Sequence, residues 1–235
     1  MIGTLINVVA VVGGGVLGSR LGGKLPERMS QTVVAGLGLF TLGFGLSMFL
    51  KTQNSMVVVG SLLVGGLLGE WWRIEDRVRG LGTWLEKRFV RNNGGSQALF
   101  VRGFLTASLV FCVGPMAILG SIQDGLTGNY EVLAIKSLLD AFAALAFASS
   151  LGTGVAFSAL SLLVYQGSIT LLAAQVQSVV STAMMTEMTA TGGLILMGIA
   201  IGSLLEIKPI RAGNFLPALV IAPLAVWILT LIHAI

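Results

Sequence analysis

Eight long apolar stretches with almost no charge inside them fill nearly all of this 235-residue chain. A helix needs about 20 apolar residues to cross a bilayer, so eight spans leave little chain for loops and none for a second, soluble domain. Charged residues make up only 10% of the chain and apolar residues 55%, too little charge to coat a water-facing surface of this size. Backbone polar groups in lipid must be satisfied internally, which leaves helices or a closed barrel. The apolar runs are continuous rather than alternating, so the spans are helices. The expected fold is an all-α, polytopic transmembrane helical bundle forming a single integral membrane domain over residues 1–235.

The spans are expected at about 2–18, 31–50, 56–70, a fourth beginning near 98, 131–151, 155–174, 192–205 and 215–232. Residues 71–97 break the pattern. There Trp72, Ile74, Val78, Leu81, Trp84, Leu85 and Phe89 recur near helical spacing, against a face carrying Arg73, Glu75, Asp76, Arg77, Arg79, Glu86, Lys87, Arg88 and Arg91. This reads as an amphipathic helix lying in the membrane interface, anchored by Trp71, Trp72 and Trp84 and ended by Asn92-Asn93-Gly94-Gly95-Ser96.

Twelve of the fourteen basic residues fall in three connections, 20–28, 73–102 and 208–211. With eight spans all three lie on one side, which the positive-inside rule makes cytoplasmic. Both termini then face outward. The net charge of +4 sits at helix ends and is no nucleic-acid signal. No cleavable signal peptide is evident before the first span. Cys112 is the single cysteine and His233 the single histidine, which excludes a His/Cys metal cluster within one chain. Nothing resembles a Ser–His or paired-Asp arrangement, so an intramembrane enzyme is the weakest reading and no cofactor is expected.

Four regions carry candidate chemistry. Asp140 lies in mid-span with Lys136 four residues before it, on the same helix face. The pair is either a cation- or proton-coupled carboxylate with a tethered competitor or a structural ion pair. The fourth span is interrupted at Gly114-Pro115 and then carries Ser121, Gln123 and Asp124. Proline removes a backbone donor, and a broken helix at membrane depth exposes groups that bind ions. The alternative is a simple kink, with Asp124 at the outer water interface. Residues 178–191 hold Glu187 among hydroxyls that include Thr186 and Thr191, an oxygen set suited to Na⁺. The stretch reads as a re-entrant half-helix or an outer loop helix. Gln166 lies in mid-span beside Ser168 and Thr170, facing either a solute or a neighbouring helix.

Glycines recur at intervals of four, at 14, 18 and 22, at 65 and 69, and at 198 and 202. That spacing lets helices approach closely, within the chain or in a homodimer. Gly65-Gly66-Leu67-Leu68 before Trp71 also echoes Gly202-Ser203-Leu204-Leu205 before Ile207, a faint sign of two parallel four-span halves.

The runs Thr106–Ile118, Gly120–Gly128, Lys136–Asp140, Tyr165–Thr170 and Glu187–Ala190 make the chain recognisable, together with the opening Met1–Thr4 and the closing Asn214–Ala218. Over essentially its whole length it resembles the bacterial membrane proteins of domain-of-unknown-function family 554. That resemblance implies a protein of the bacterial cytoplasmic membrane, loosely described as a candidate sodium channel or pump. It carries no catalytic residues across. Two functions stand side by side: an ion channel or cation-coupled transporter of an unknown small solute, with Na⁺ or H⁺ as carried or coupling ion, and a non-transporting scaffold acting through its amphipathic segment.

Overall fold

The computed structural model describes residues 1–22, 26–89 and 97–232. The expectations at Lys24, Arg91, Asn92–Ser96 and His233 lie outside the described residues. Among the described residues there are helices and no strands. Among these residues seven helices are long and apolar enough to cross a membrane, and a bent pair makes eight if it counts as one span. The chain folds into two compact units, residues 1–37 with 79–178 and residues 38–78 with 179–235. The units do not follow the two halves of the sequence.

The first unit is organised around α1 (Ile2–Gly22), α7 (Glu131–Leu151) and α8 (Gly154–Leu171). Gly14, Gly18 and Gly22 of α1 lie against the backbone carbonyls of Ala141, Leu145 and Ser149. Both numbers rise together, so α1 and α7 run parallel. A Cβ at any of the three positions would overlap a carbonyl oxygen. The absence of side chains there is what brings the two backbones into contact. On its other side α1 runs antiparallel to α8, with Gly15 against Ala156 and Thr4 Oγ1 3.2 Å from Thr170 Oγ1.

Two further helices, α5 (Gln97–Cys112) and α6 (Pro115–Thr127), are bent by 62° across a two-residue break. Gly114 precedes Pro115, which occupies the first turn of α6, where its missing N–H costs nothing. The interruption expected at Gly114-Pro115 is therefore present. A short helix, α9 (Ala173–Val179), follows α8.

The second unit contains α3 (Ser55–Trp72), α10 (Thr182–Ile199), a π-helical turn (Ala200–Leu204), a 3₁₀ turn (Ala212–Phe215) and α11 (Ala218–Leu231). Here too glycines meet backbone, Gly65 against Ala218 and Gly69 against the Asn214 carbonyl. The division between units falls inside α2 (Glu27–Phe49) and α4 (Ile74–Phe89).

Residues 182–191 correct one expectation. They form neither a separate half-helix nor a loop helix, but the first half of one continuous helix that is long and apolar enough to cross a membrane, Thr182–Leu204. The polar side chains are compatible with this because their hydroxyls turn inward. Thr186 Oγ1 donates to the Thr182 carbonyl at 3.0 Å and Thr191 Oγ1 to that of Glu187 at 2.8 Å, the back-bonding that hides hydroxyls in apolar helices. Ser181 caps the start by accepting from Met184 N.

The amphipathic segment also differs from its expected face. Helix α4 buries Glu75, Gly82, Leu85 and Glu86, while Leu81 and Trp84 stay exposed alongside Arg77 and Arg88. Ile74, Val78, Leu81, Trp84 and Leu85 still fall on one arc of α4, but the buried side is turned from it toward Glu75, Gly82 and Glu86, so that only part of the apolar arc is covered.

Candidate functional site

In the first unit the parallel packing of α1 on α7 carries Asn7 to Asp140. Asn7 is fully buried, Asp140 and Lys136 nearly so, and Gln166 of α8 is fully buried beside them. Asn7 Nδ2 donates to Asp140 Oδ2 at 3.0 Å and to Gln166 Oε1 at 3.3 Å. Lys136 Nζ pairs with the same Asp140 oxygen. A lysine–aspartate pair, one turn apart on α7, is thus bridged to two amides from two other helices.

The broken span meets this centre. On one side of the break the Phe111 ring stands edge-on to Phe147, centroids 6.4 Å apart. On the other side Gly120 lies against Leu133 and Val132. Asp140 is midway between those α7 positions, so the break at 113–114 lies at its level. Cys112, the last residue of α5, is within electrostatic reach of Lys136 and Asp140, and Tyr165 within reach of Cys112. Helix ends leave N–H and C=O groups outside the helical ladder, and two such ends face each other at the depth of a buried ion pair.

The network is incomplete. Asn7 Oδ1, Gln166 Nε2 and Ser121 Oγ are buried without a hydrogen-bond partner. Ser121 shares the level of Gln166, because α6 rises alongside α8 with Gly125 against Thr170, and both residues lie one turn before that contact. Buried polar groups are nearly always paired; Asn7 Oδ1 and Gln166 Nε2, beside the ion pair, form an acceptor and a donor available to a ligand, and Ser121 Oγ is a further unpaired hydroxyl on α6 at the level of Gln166.

The other candidates are placed elsewhere. Asp124 is buried, but its Oδ2 accepts from Gly3 N at 3.1 Å and lies 2.9 Å from the amino group of Met1, which makes it a cap for the first turn of α1. Gln123 is exposed. Glu187 in the second unit is buried and accepts three hydrogen bonds from the turn before α3, from Thr52 Oγ1 at 2.6 Å, Gln53 N at 2.8 Å and Asn54 N at 3.0 Å. Thr186 and Thr191 give their hydroxyl protons to the backbone of α10. The structure therefore joins Asp140, Lys136, Gln166, Ser121 and the Gly114-Pro115 break, and leaves Glu187, Asp124, Gln123, Thr186 and Thr191 outside that group. Reading the sequence missed Asn7. The available signal was its position as the lone strongly polar side chain between Leu5 and Val16.

The family model described as a protein of unknown function, DUF554, matches residues 2–227. The chain belongs to the DUF554 family. Among its DUF554-like relatives, the uncharacterized protein YqgA of Escherichia coli (strain K12) is 34% identical, over 94% of each chain. The uncharacterized membrane protein YdfK of Bacillus subtilis (strain 168) is 29% identical over 100% of this chain and 98% of its own. No solved structure matches. The membrane character of this DUF554 chain rests on that relative's description together with its own apolar helices.

Proposed function

We propose that this chain is a transport protein that moves a small solute past the Asp140–Lys136 centre, driven by a Na⁺ or H⁺ gradient. The observation that carries the reading is the two unpaired buried amide atoms beside that pair, Asn7 Oδ1 and Gln166 Nε2, with the unpaired Ser121 hydroxyl at the level of Gln166, close to a broken helix. Ionisable groups at membrane depth are costly and mark solute or ion paths, and transporters build their sites from discontinuous helices near the bilayer midplane. Lysine and arginine distribution supports the bacterial cytoplasmic membrane with both termini outward. The glycine faces of α1 and α3 are used within their own units, so a homodimer would form through other surfaces.

The test is electrical. Purified protein in proteoliposomes on a solid support is exposed to Na⁺ or H⁺ gradients, with and without a low-molecular-weight bacterial extract. Native protein gives a charge movement that Asp140→Asn lacks. The double variant Asp140→Asn/Lys136→Gln, which leaves no buried charge unpaired, lacks it as well. Absence of current from the native protein under every combination overturns the proposal.

A second reading has its own support. The Arg77, Leu81, Trp84 and Arg88 face of α4 is not used in packing, which suits a scaffold held at the membrane surface. Reversing its basic residues would then impair the protein's role in cells more than Asp140→Asn does, the opposite of what transport requires.

A further inference from the structure

Resting on the transport reading, the same centre carries a statement about what binds there: we infer that the solute is a small zwitterion of amino-acid type. Lys136 and Asp140 sum to zero and are almost wholly buried. A bare cation joining them would leave an uncompensated positive charge, and a bare anion an uncompensated negative one, in a medium that penalises both heavily. A zwitterion adds no net charge.

The uncommitted atoms agree with this. A bare hard cation seeks a shell of oxygens. Here Asp140 Oδ2 already serves Lys136 and Asn7, and one of the three unpaired atoms, Gln166 Nε2, is a donor that a cation cannot use. A zwitterion uses all of them. Its ammonium donates to Asp140 and Asn7 Oδ1, and its carboxylate accepts from Lys136 Nζ and Gln166 Nε2. Ser121 Oγ serves either end. Binding then exchanges one ion pair between α7 side chains for two ion pairs to the ligand, with every buried group satisfied. Elsewhere in the described spans the other two buried acids, Asp124 and Glu187, are already held by N–H and O–H donors, so neither offers a competing cation site.

The experiment is thermal unfolding of the full-length protein in detergent, followed by tryptophan fluorescence. The probes are the zwitterionic proteinogenic amino acids, compared at equal concentration with methylammonium chloride, sodium acetate and sodium chloride. A zwitterion near saturation raises Tm by about 5 °C, while the salts carrying its separate halves do not. The shift is lost in Gln166→Leu, which retains the ion pair, and in Asp140→Asn/Lys136→Gln. A shift produced equally by sodium chloride, or no shift with any zwitterion, overturns the inference. The two readings fail separately. Zwitterion binding without any current removes transport and keeps the ligand class, whereas an Asp140-dependent current without zwitterion binding does the reverse.

Discussion

Each unit buries an acid among apolar helices, and the two acids are treated in opposite ways. Glu187 has three donors from one turn, residues 52–54, and the turn is closed further by Asn54 Oδ1 accepting from Met56 N at 3.2 Å. Its charge is spread over the N-terminal end of α3, where helix polarity favours a negative group. Asp140 instead faces an ammonium and an amide, with partners left over. The two carboxylates are buried alike. Burial of an acid therefore does not distinguish the two; incomplete satisfaction of the groups around Asp140 does, and the proposed site rests on it.

The contrast can be broken most severely at Lys136. Lys136→Ala leaves Asp140 buried without its cation and should cost about 3–5 kcal/mol; Asp140→Asn/Lys136→Gln should recover most of that, as read by Tm in detergent. A double variant as unstable as the single one would mean that the pair holds the unit together and is not held ready for a ligand. Next in size is Gly14→Leu. Its side chain would force α1 away from Ala141 and with it draw Asn7 from Asp140, at a cost of about 1–3 kcal/mol or more. Gly13→Ala, which meets open space, should stay within about 0.5 kcal/mol of the native protein. Equal effects from both would overturn the backbone contact. Glu187→Gln should cost about 1–3 kcal/mol, concentrated as faster amide exchange at Gln53 and Asn54, with transport current retained. Loss of current without loss of Tm would put Glu187 on the solute path and erase the distinction between the units.

What could be read from the sequence was local. Lys136 and Asp140 lie one turn apart, so their pairing follows from helix geometry alone. Gly114-Pro115 announces its own break. The missing parts are long-range. Asn7 meets Asp140 across 133 residues, and Thr52 meets Glu187 across 135. Nothing near Glu187 in sequence distinguishes a capping acid from a cation ligand. Residues 182–191 looked too polar for a span because their hydroxyls were counted as unsatisfied, whereas back-bonding to α10 carbonyls removes that penalty. On α4, periodicity located the helix and its apolar arc but not the side that the rest of the chain covers, since only tertiary contact determines that.

The second unit holds one further local echo. The similar stretches around Gly65 and Gly202 both end on a non-glycine residue in the left-handed region, Arg73 at φ 51° and Glu206 at φ 54°. Such a residue costs about 1–2 kcal/mol. The corner at Arg73 is fastened by Asn214, whose Oδ1 accepts from Glu75 N at 2.8 Å and whose Nδ2 donates to Glu70 Oε2 at 2.5 Å, with Arg211 paired to Glu70. The resemblance therefore extends to how each helix stops, although both helices belong to one unit.

The parallel seam between α1 and α7 has a consequence for biosynthesis. The first helix leaves the ribosome with its glycine face bare and Asn7 unanswered, and the residues that complete it are translated more than a hundred positions later. At roughly 5–20 residues per second, that interval is on the order of ten seconds. Throughout it the nascent chain holds a polar amide in or beside the lipid, a state that the insertion machinery must shelter and that quality-control proteases can recognise. Variants that slow the arrival of α7 should thus lower the yield of inserted protein without changing the stability of the molecules that finish.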